Sequence, residues 1–297
     1  MRHRSTIGIL ALEAAALLAI LVMSTGAAGA GEDGKYPDWR GQWNRERVVG
    51  IPGQPSFDPH KPWGKGQQAP LTAEYQAVLE ANLQSQREGG FFDWLGASCR
   101  GFGMPLIMYP FQPMEFIITP ETTYVLIDWV EHTRRIYTDG REWPKEIEPT
   151  LVGYSIGKWV DSTGSGRFDT LEVETRGFKG PRHYDASGLP LHHDNQSIFK
   201  ERIWLDKTNK NLMHNEITVI DHALTQPWTV TRGYVRNPDP RPDWPEFICA
   251  EGNGHVAIGG ENYFLSADGL LMPSRKGQQP PDTRYFKDVK ATQATQK

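Results

Sequence analysis

The residues able to do chemistry concentrate in Leu191–Val230, a stretch that holds four of the chain's nine histidines. His192-His193-Asp194 and Asp221-His222 set imidazoles beside carboxylates, the pairing that makes a histidine an oriented general base. His193 or His222 is the candidate base, and Asp194 or Asp221 its orienting partner. Adjacent residues of a strand point to opposite faces, so His192 and His193 cannot both line a cavity from extended chain. Following Gly188-Leu189-Pro190, they read as a rim loop. Together with His183, His214 and His222 they raise a metal centre. No His-x-His or HExxH spacing is present, so the expectation is no metal and no cofactor, with His183 and His214 as solvated loop residues.

Three further groups come from strand periodicity. In Ile198–Leu205, Glu201 shares a face with Phe199, Ile203 and Leu205, while Trp204 falls on the other face. Asp221 continues the face of Ile217 and Val219, and Arg232 that of Trp228, Val230 and Tyr234. A lone buried carboxylate costs several kcal/mol, so Glu201 and Asp221 must pair or meet water. Pairing with Arg232 is one reading. A polar patch in a barrel cavity, with raised carboxyl pKa values, is the other. The third group is Glu131–Arg141. Arg135, Tyr137 and Asp139 alternate onto one face; His132, Arg134 and Ile136 take the other. Arg135 beside Tyr137 suits an oxyanion, or else the segment is a charged surface hairpin turning at Asp139-Gly140. Arg134, Asp139, His192, Arg232, Trp228 and Trp204 complete the candidate ligand-binding set.

The elements that must position these groups are mostly strands. Glu115–Thr119, Thr123–Trp129, Thr133–Thr138, Thr170–Thr175, Ile198–Leu205, Glu216–Asp221 and Trp228–Val235 are β-branched or aromatic runs, and Phe247–Cys249 and Asn262–Leu265 extend the series. Thr72–Arg87 is a helix: Thr72 caps it, and Tyr75, Val78, Leu79 and Leu83 form one apolar stripe. The class is therefore mainly β, a single-domain curved sheet or closed antiparallel barrel, lipocalin-like, with one packed N-terminal helix. A two-sheet sandwich is the alternative. Gly41-x-Trp43 matches the start of lipocalin-type barrels, and equally any packed Trp on a first strand. Residues 31–95 read as an extended Pro/Trp-rich segment plus the helix, 96–287 as the barrel-like domain, and 288–297 as a disordered tail.

Composition sets the compartment. Met1–Arg4 is basic, Ile7–Met23 is largely apolar, and Ala28-Gly29-Ala30 is a small-x-small end, so residues 1–30 read as a signal peptide. The apolar run falls short of a spanning helix and carries Glu13. The expected location is periplasmic or secreted, with no membrane contact after cleavage. Losing Arg2, Arg4 and Glu13 takes the formal net charge from −4 to −5, and no basic run remains to bind nucleic acid. Cys99 and Cys249 are the only cysteines, and in an exported chain they read as one disulfide. Closing a loop of roughly 150 residues would stabilise by ~4–5 kcal/mol in the chain-entropy model. Two free thiols are the rival reading. Asp161–Asp169 has the glycine spacing of a calcium loop, but Thr163 and Ser165 stand where carboxylates belong, so a Gly-rich hairpin loop is expected.

As a set, several motifs resemble a family of exported, largely uncharacterised bacterial β-rich proteins. They are Cys99 with Gly103-Met104-Pro105, Arg134–Arg141 (RRIYTDGR), Gly153–Trp159 (GYSIGKW), Asp169–Thr175, Glu201-Arg202 and Pro227–Val230 (PWTV). The resemblance covers roughly residues 95–250. It implies an exported β-rich domain and supplies no activity.

No nucleotide-binding loop or GxSxG elbow is present. The functional expectation is a cofactor-independent enzyme doing acid–base chemistry, as a lyase, dehydratase or isomerase, on a small, partly apolar aromatic or terpenoid compound. Such a ligand would occupy a mostly apolar cavity. A lipocalin-like carrier without catalysis is the alternative. A metal-dependent hydrolase is a third reading, and it requires three of the histidines and carboxylates to converge.

Overall fold

The computed structural model describes residues 34–46, 69–88, 101–129, 133–244, 255–258, 261–266 and 270–279. Nine strands close into one barrel in sequence order. They are β1 (Gln42–Arg45), β2 (Met114–Ile118), β3 (Thr122–Ile127), β4 (Arg134–Tyr137), β5 (Tyr154–Val160), β6 (Thr170–Arg176), β7 (Ile198–Leu205), β8 (Leu212–Ile220) and β9 (Trp228–Arg236). β1 closes the ring by pairing with both β2 and β9. Strands β10 (His255–Ile258), β11 (Glu261–Leu265) and β12 (Leu271–Pro273) form a separate antiparallel sheet. Helix α1 spans Ala73–Arg87. The chain is thus mainly β, with a lipocalin-like closed barrel.

Three details differ from the sequence reading. Asn262–Leu265, expected to extend the barrel series, belongs to β11 of the separate sheet. The barrel is mixed, because β4 and β5 pair in parallel while its other neighbours are antiparallel. Barrel strands also begin before residue 96: β1 lies inside the Pro/Trp-rich segment and buries Trp43 completely. The signal-peptide region, the expected strand Phe247–Cys249, both cysteines and the tail lie outside the described residues.

Period two decides which side chains fill the barrel. In β6, Leu171, Val173 and Thr175 are buried, and Glu172 and Arg176 face out. Phe199 and Ile203 of β7 and Ile217 and Val219 of β8 follow the same rule. Outside, the register sets Lys158 against Glu172, Glu172 against Arg202, and Arg202 against Glu216. This alternation of charge across four strands is the favourable cross-strand arrangement.

Part of the interior is occupied by the chain itself. The 3₁₀ turn Leu106–Met108 is fully buried, and Tyr234, on the inner face of β9, donates to the Met108 carbonyl. The segment therefore packs against the inner face of β9. Two cavities, of about 440 and 480 Å³, open on outer faces. One lies between residues 36–40 and β2, the other across β5–β8.

Gly153, just before β5, has φ +71°, and a Cβ there would lie 2.4 Å from the Phe178 ring and 2.8 Å from the Arg176 carbonyl oxygen. Gly164 has a similar φ of +70° with nothing within 4 Å. Gly164→Ala is expected to cost about 1–2 kcal/mol, the left-handed penalty alone. Gly153→Ala should cost roughly 1–3 kcal/mol more, from crowding. Equilibrium urea unfolding of both variants checks this; equal losses would remove the crowding argument.

Candidate functional site

Two polar constellations stand on this frame, one inside the barrel and one on its rim. Inside, Arg134 of β4 and Glu201 of β7 form a two-pronged ion pair. Nη1 lies 3.1 Å from Oε1, and Nη2 meets Oε2. Both side chains are essentially without solvent contact, at 1% and 0% exposure. Arg134 also donates to Thr175 Oγ1 at 2.9 Å, and Asn215 Nδ2 donates to Glu201 Oε1 at 3.0 Å. The pairing of Glu201 with Arg232 expected from sequence is corrected: the carboxylate's partner is Arg134. Arg232 instead lies 3.6 Å from Asp185, with its guanidinium over the Tyr109 and Tyr184 rings. A carboxylate so completely held by donors is a fixture of the core, not an acid open to substrate.

The face of β4 that turns inward carries Arg134 and Ile136. Arg135 is exposed, and Tyr137 packs on the outer surface against Tyr154 and beneath Arg141. Asp139 is paired with Arg141. Of the two readings of this segment, the charged surface one fits, but no hairpin turns at Asp139-Gly140, because β4 pairs in parallel with β5, and Arg135 and Tyr137 line no interior site. Trp204 is also on the outer face, packed at a tilt against His214, while Trp228 is buried at the start of β9 beside Tyr184. The Asp161 carboxylate accepts the Thr163, Ser165 and Gly166 amides, as a Gly-rich turn requires.

The rim constellation gathers residues from three segments. The turn after β8 brings Asp221 and His222, and the loop before β7 brings His192, His193 and Asp194. Helix α1 brings Tyr75. The helix is fixed there by its own start. Thr72 donates its amide to the Ala223 carbonyl at 2.8 Å, Leu71 bridges Leu224, and the Thr72 hydroxyl caps the Tyr75 amide. Further along α1, Asn82 and Gln86 donate to the Gly188 and Ser187 carbonyls. Asn195, at φ +60°, lets the loop turn, and its side chain donates to the His193 carbonyl.

Each ring has its own partner. The Tyr75 hydroxyl accepts the His193 amide at 3.2 Å and lies 2.8 Å from His193 Nδ1. Asp194 faces two imidazoles, with His192 Nδ1 2.9 Å from Oδ1 and His222 Nδ1 2.6 Å from Oδ2. The His192 ring stacks on His193, with centroids 4.4 Å apart, and lies edge-on to His222. Burial acts to raise the Asp194 carboxyl. Bonds from the Gln196 amide, His222 and His192 outweigh it and hold the group well below the usual carboxylate range. The hydrogen bond to Asp194 raises the His222 imidazole.

Asp221 orients no ring. It is buried, its Oδ1 takes the His192 and Ala223 amides at 2.9 and 2.8 Å, and Ser197 donates to Oδ2. It therefore pins together the two chain segments that carry the histidines. Arg182 braces the same loop through Ser197 Oγ at 2.8 Å and Asn195 Oδ1 at 3.3 Å. Burial brings the Arg182 guanidinium down to about 10, against the pull of Asp221 and Asp194. His183 and His214 are not solvated loop residues. His183 is buried in a bridge with Pro190, and His214 lies on β8 with Nε2 3.1 Å from Asp206.

The structure thus joins His192, His193, Asp194, Asp221 and His222 at one rim. It keeps Glu201, Arg134 and Arg232 in the core, and leaves Arg135, Tyr137, Asp139 and Trp204 outside. Sequence reasoning missed Tyr75, Ser197, Asn195 and Arg182. Tyr75 was hidden because its ring belongs to the apolar stripe of α1 while its hydroxyl reaches the rim. A scan against protein-family models finds no match to this chain, and a search of curated proteins finds none either.

Proposed function

We propose that the protein is an exported enzyme that moves a proton on a small, partly apolar compound of aromatic or terpenoid type, in a lyase, dehydratase or isomerase reaction. The observation that supports this is the His193–Tyr75 contact at 2.8 Å. It occupies Nδ1 and leaves Nε2 as the other ring nitrogen of an exposed residue. The tyrosine oxygen accepts the His193 amide and can accept Nδ1–H as well. Nε2 then carries the lone pair that takes a proton, and the imidazolium keeps the same bond to Tyr75. Tyr75 itself is buried, so the ring is held by a rigid element rather than by solvent. Export is supported by the basic, apolar and small-x-small pattern of residues 1–30. The carrier reading asks for an open apolar interior, and the buried turn Leu106–Met108 takes up part of that space.

The test is a turnover screen of the protein and its His193→Ala variant against aromatic and terpenoid alcohols and ethers, read by mass. Turnover that survives the substitution unchanged would sink the role of His193. Binding without turnover by either protein would favour the carrier.

A further inference from the structure

Beside that pair, the geometry points to a site for one divalent first-row transition-metal ion, held by His192, Asp194 and His222. It goes beyond the proton-transfer reading and does not depend on it.

Each of the three residues offers one ligand atom, and all three atoms lie within 4.8 Å of one another. Ligands about 2.0–2.2 Å from a metal, at angles from octahedral to tetrahedral, stand roughly 3.0–3.4 Å apart. The two nitrogen–oxygen separations, 2.9 Å to Oδ1 and 2.6 Å to Oδ2, run to different oxygens of Asp194, so binding through one oxygen requires one imidazole to shift toward it. The His222 side chain is 68% exposed and can swing to supply that shift.

A second observation comes from His192. The Asp194 amide points at His192 Nδ1 from 3.2 Å, and Asp194 Oδ1 lies 2.9 Å from the same nitrogen. Where Nδ1 accepts that amide, its lone pair confronts a carboxylate oxygen. Either a proton on the nitrogen or a cation between the two atoms relieves the repulsion. The Asp194 oxygens already divide between two imidazoles, as a ligand carboxylate flanked by two ring nitrogens would.

The surroundings are those of a ligand set. The His192 main chain is tied to buried Asp221, its ring lies between Tyr75 and His193, and the Gln196 amide holds Asp194. Such outer contacts fix ligand orientation and are worth roughly 10–100-fold in affinity at metal sites. Two imidazoles and one carboxylate suit zinc or ferrous iron, not calcium or magnesium, which take oxygen ligands. The exposed side of Asp194 and His222 leaves positions for water or a substrate oxygen. An ion there would stand beside the His193 ring as a Lewis acid.

The experiment is calorimetric titration of the chelator-treated protein with zinc, and with cobalt(II) read by visible absorption. One equivalent should bind with release of protons, because ring nitrogens must be bare to ligate. His222→Ala and Asp194→Asn should each weaken binding by at least tenfold with an unchanged circular dichroism spectrum. His193→Ala removes a ring stacked on His192 and should weaken binding less than His222→Ala or Asp194→Asn does, even where its turnover is lost, so failure of this site and failure of the proton-transfer reading are told apart. No binding, binding untouched by His222→Ala and Asp194→Asn, or binding lost only in His193→Ala would each overturn the assignment.

Discussion

Glu201→Ala is expected to destabilise the protein by about 3–5 kcal/mol, lowering its melting temperature by roughly 6–20 °C. The loss comes less from the missing attraction than from what is left behind. Arg134 stays charged at 1% exposure, and its remaining partners, Ser155 and Thr175, are neutral hydroxyls. Asn215 loses the nearer of its two acceptors at the same time and keeps only the Tyr234 hydroxyl at 3.4 Å. Replacing both ends at once, as Arg134→Met with Glu201→Leu, removes the stranded charge and should recover most of the loss, since a buried pair is often no better than apolar residues of like volume. Urea unfolding of the three variants forms the test. A Glu201→Ala loss below about 1 kcal/mol, typical of an exposed pair, would show that water reaches Arg134 and that the barrel interior is not dry.

The second large effect is on rate. His193→Ala should lower kcat by about 10²–10⁴-fold, the range for removal of a positioned proton-transfer group. Tyr75→Phe keeps the ring packing of α1 and removes only the hydroxyl that holds Nδ1 and the His193 amide. It should give a smaller fall of about 10-fold in kcat, with KM nearly unchanged. The two losses should not add in the double variant, because Tyr75 acts only through the imidazole. Additive losses would give Tyr75 an independent contact with substrate and break the pair apart.

The barrel was legible because nearly every strand carries its own period-two record. Ile198–Leu205 is a strand over the residues read from sequence, and the inward positions of Glu201 and Arg232 follow from their neighbours. The strand β5 was not read from periodicity. Its sequence, Tyr154–Val160, puts Ser155 and Gly157 inward, so the apolar signal of that face is carried by Trp159 alone. Gly157 is needed there because a Cβ would lie 2.6 Å from Ile136. Pairing across the barrel was not legible either. Period two says that Glu201 points in but not which of two inward arginines it meets, and the distinction between Arg134 and Arg232 is set by closure of the whole ring. At the rim the limit was different. His192-His193-Asp194 is neither strand nor helix, so no period governs where its side chains point. Tyr75 reaches it from residues 118 positions away in sequence.

The closure by β1 carries a consequence for how the chain assembles. Gln42–Arg45 is made first, yet its partners arrive late: β2 some seventy residues on, and β9 nearly two hundred. Loop entropy grows only slowly with length, so the delay costs little in final stability. It costs more in time, because contacts this far apart in sequence form slowly. Until β1 docks, β2 and β9 each present an unpaired row of amides and carbonyls, the template on which copies of a sheet join edge to edge. Four residues near the front of the chain thus decide whether the folding barrel ends as a closed ring or as a strand donor to its neighbours.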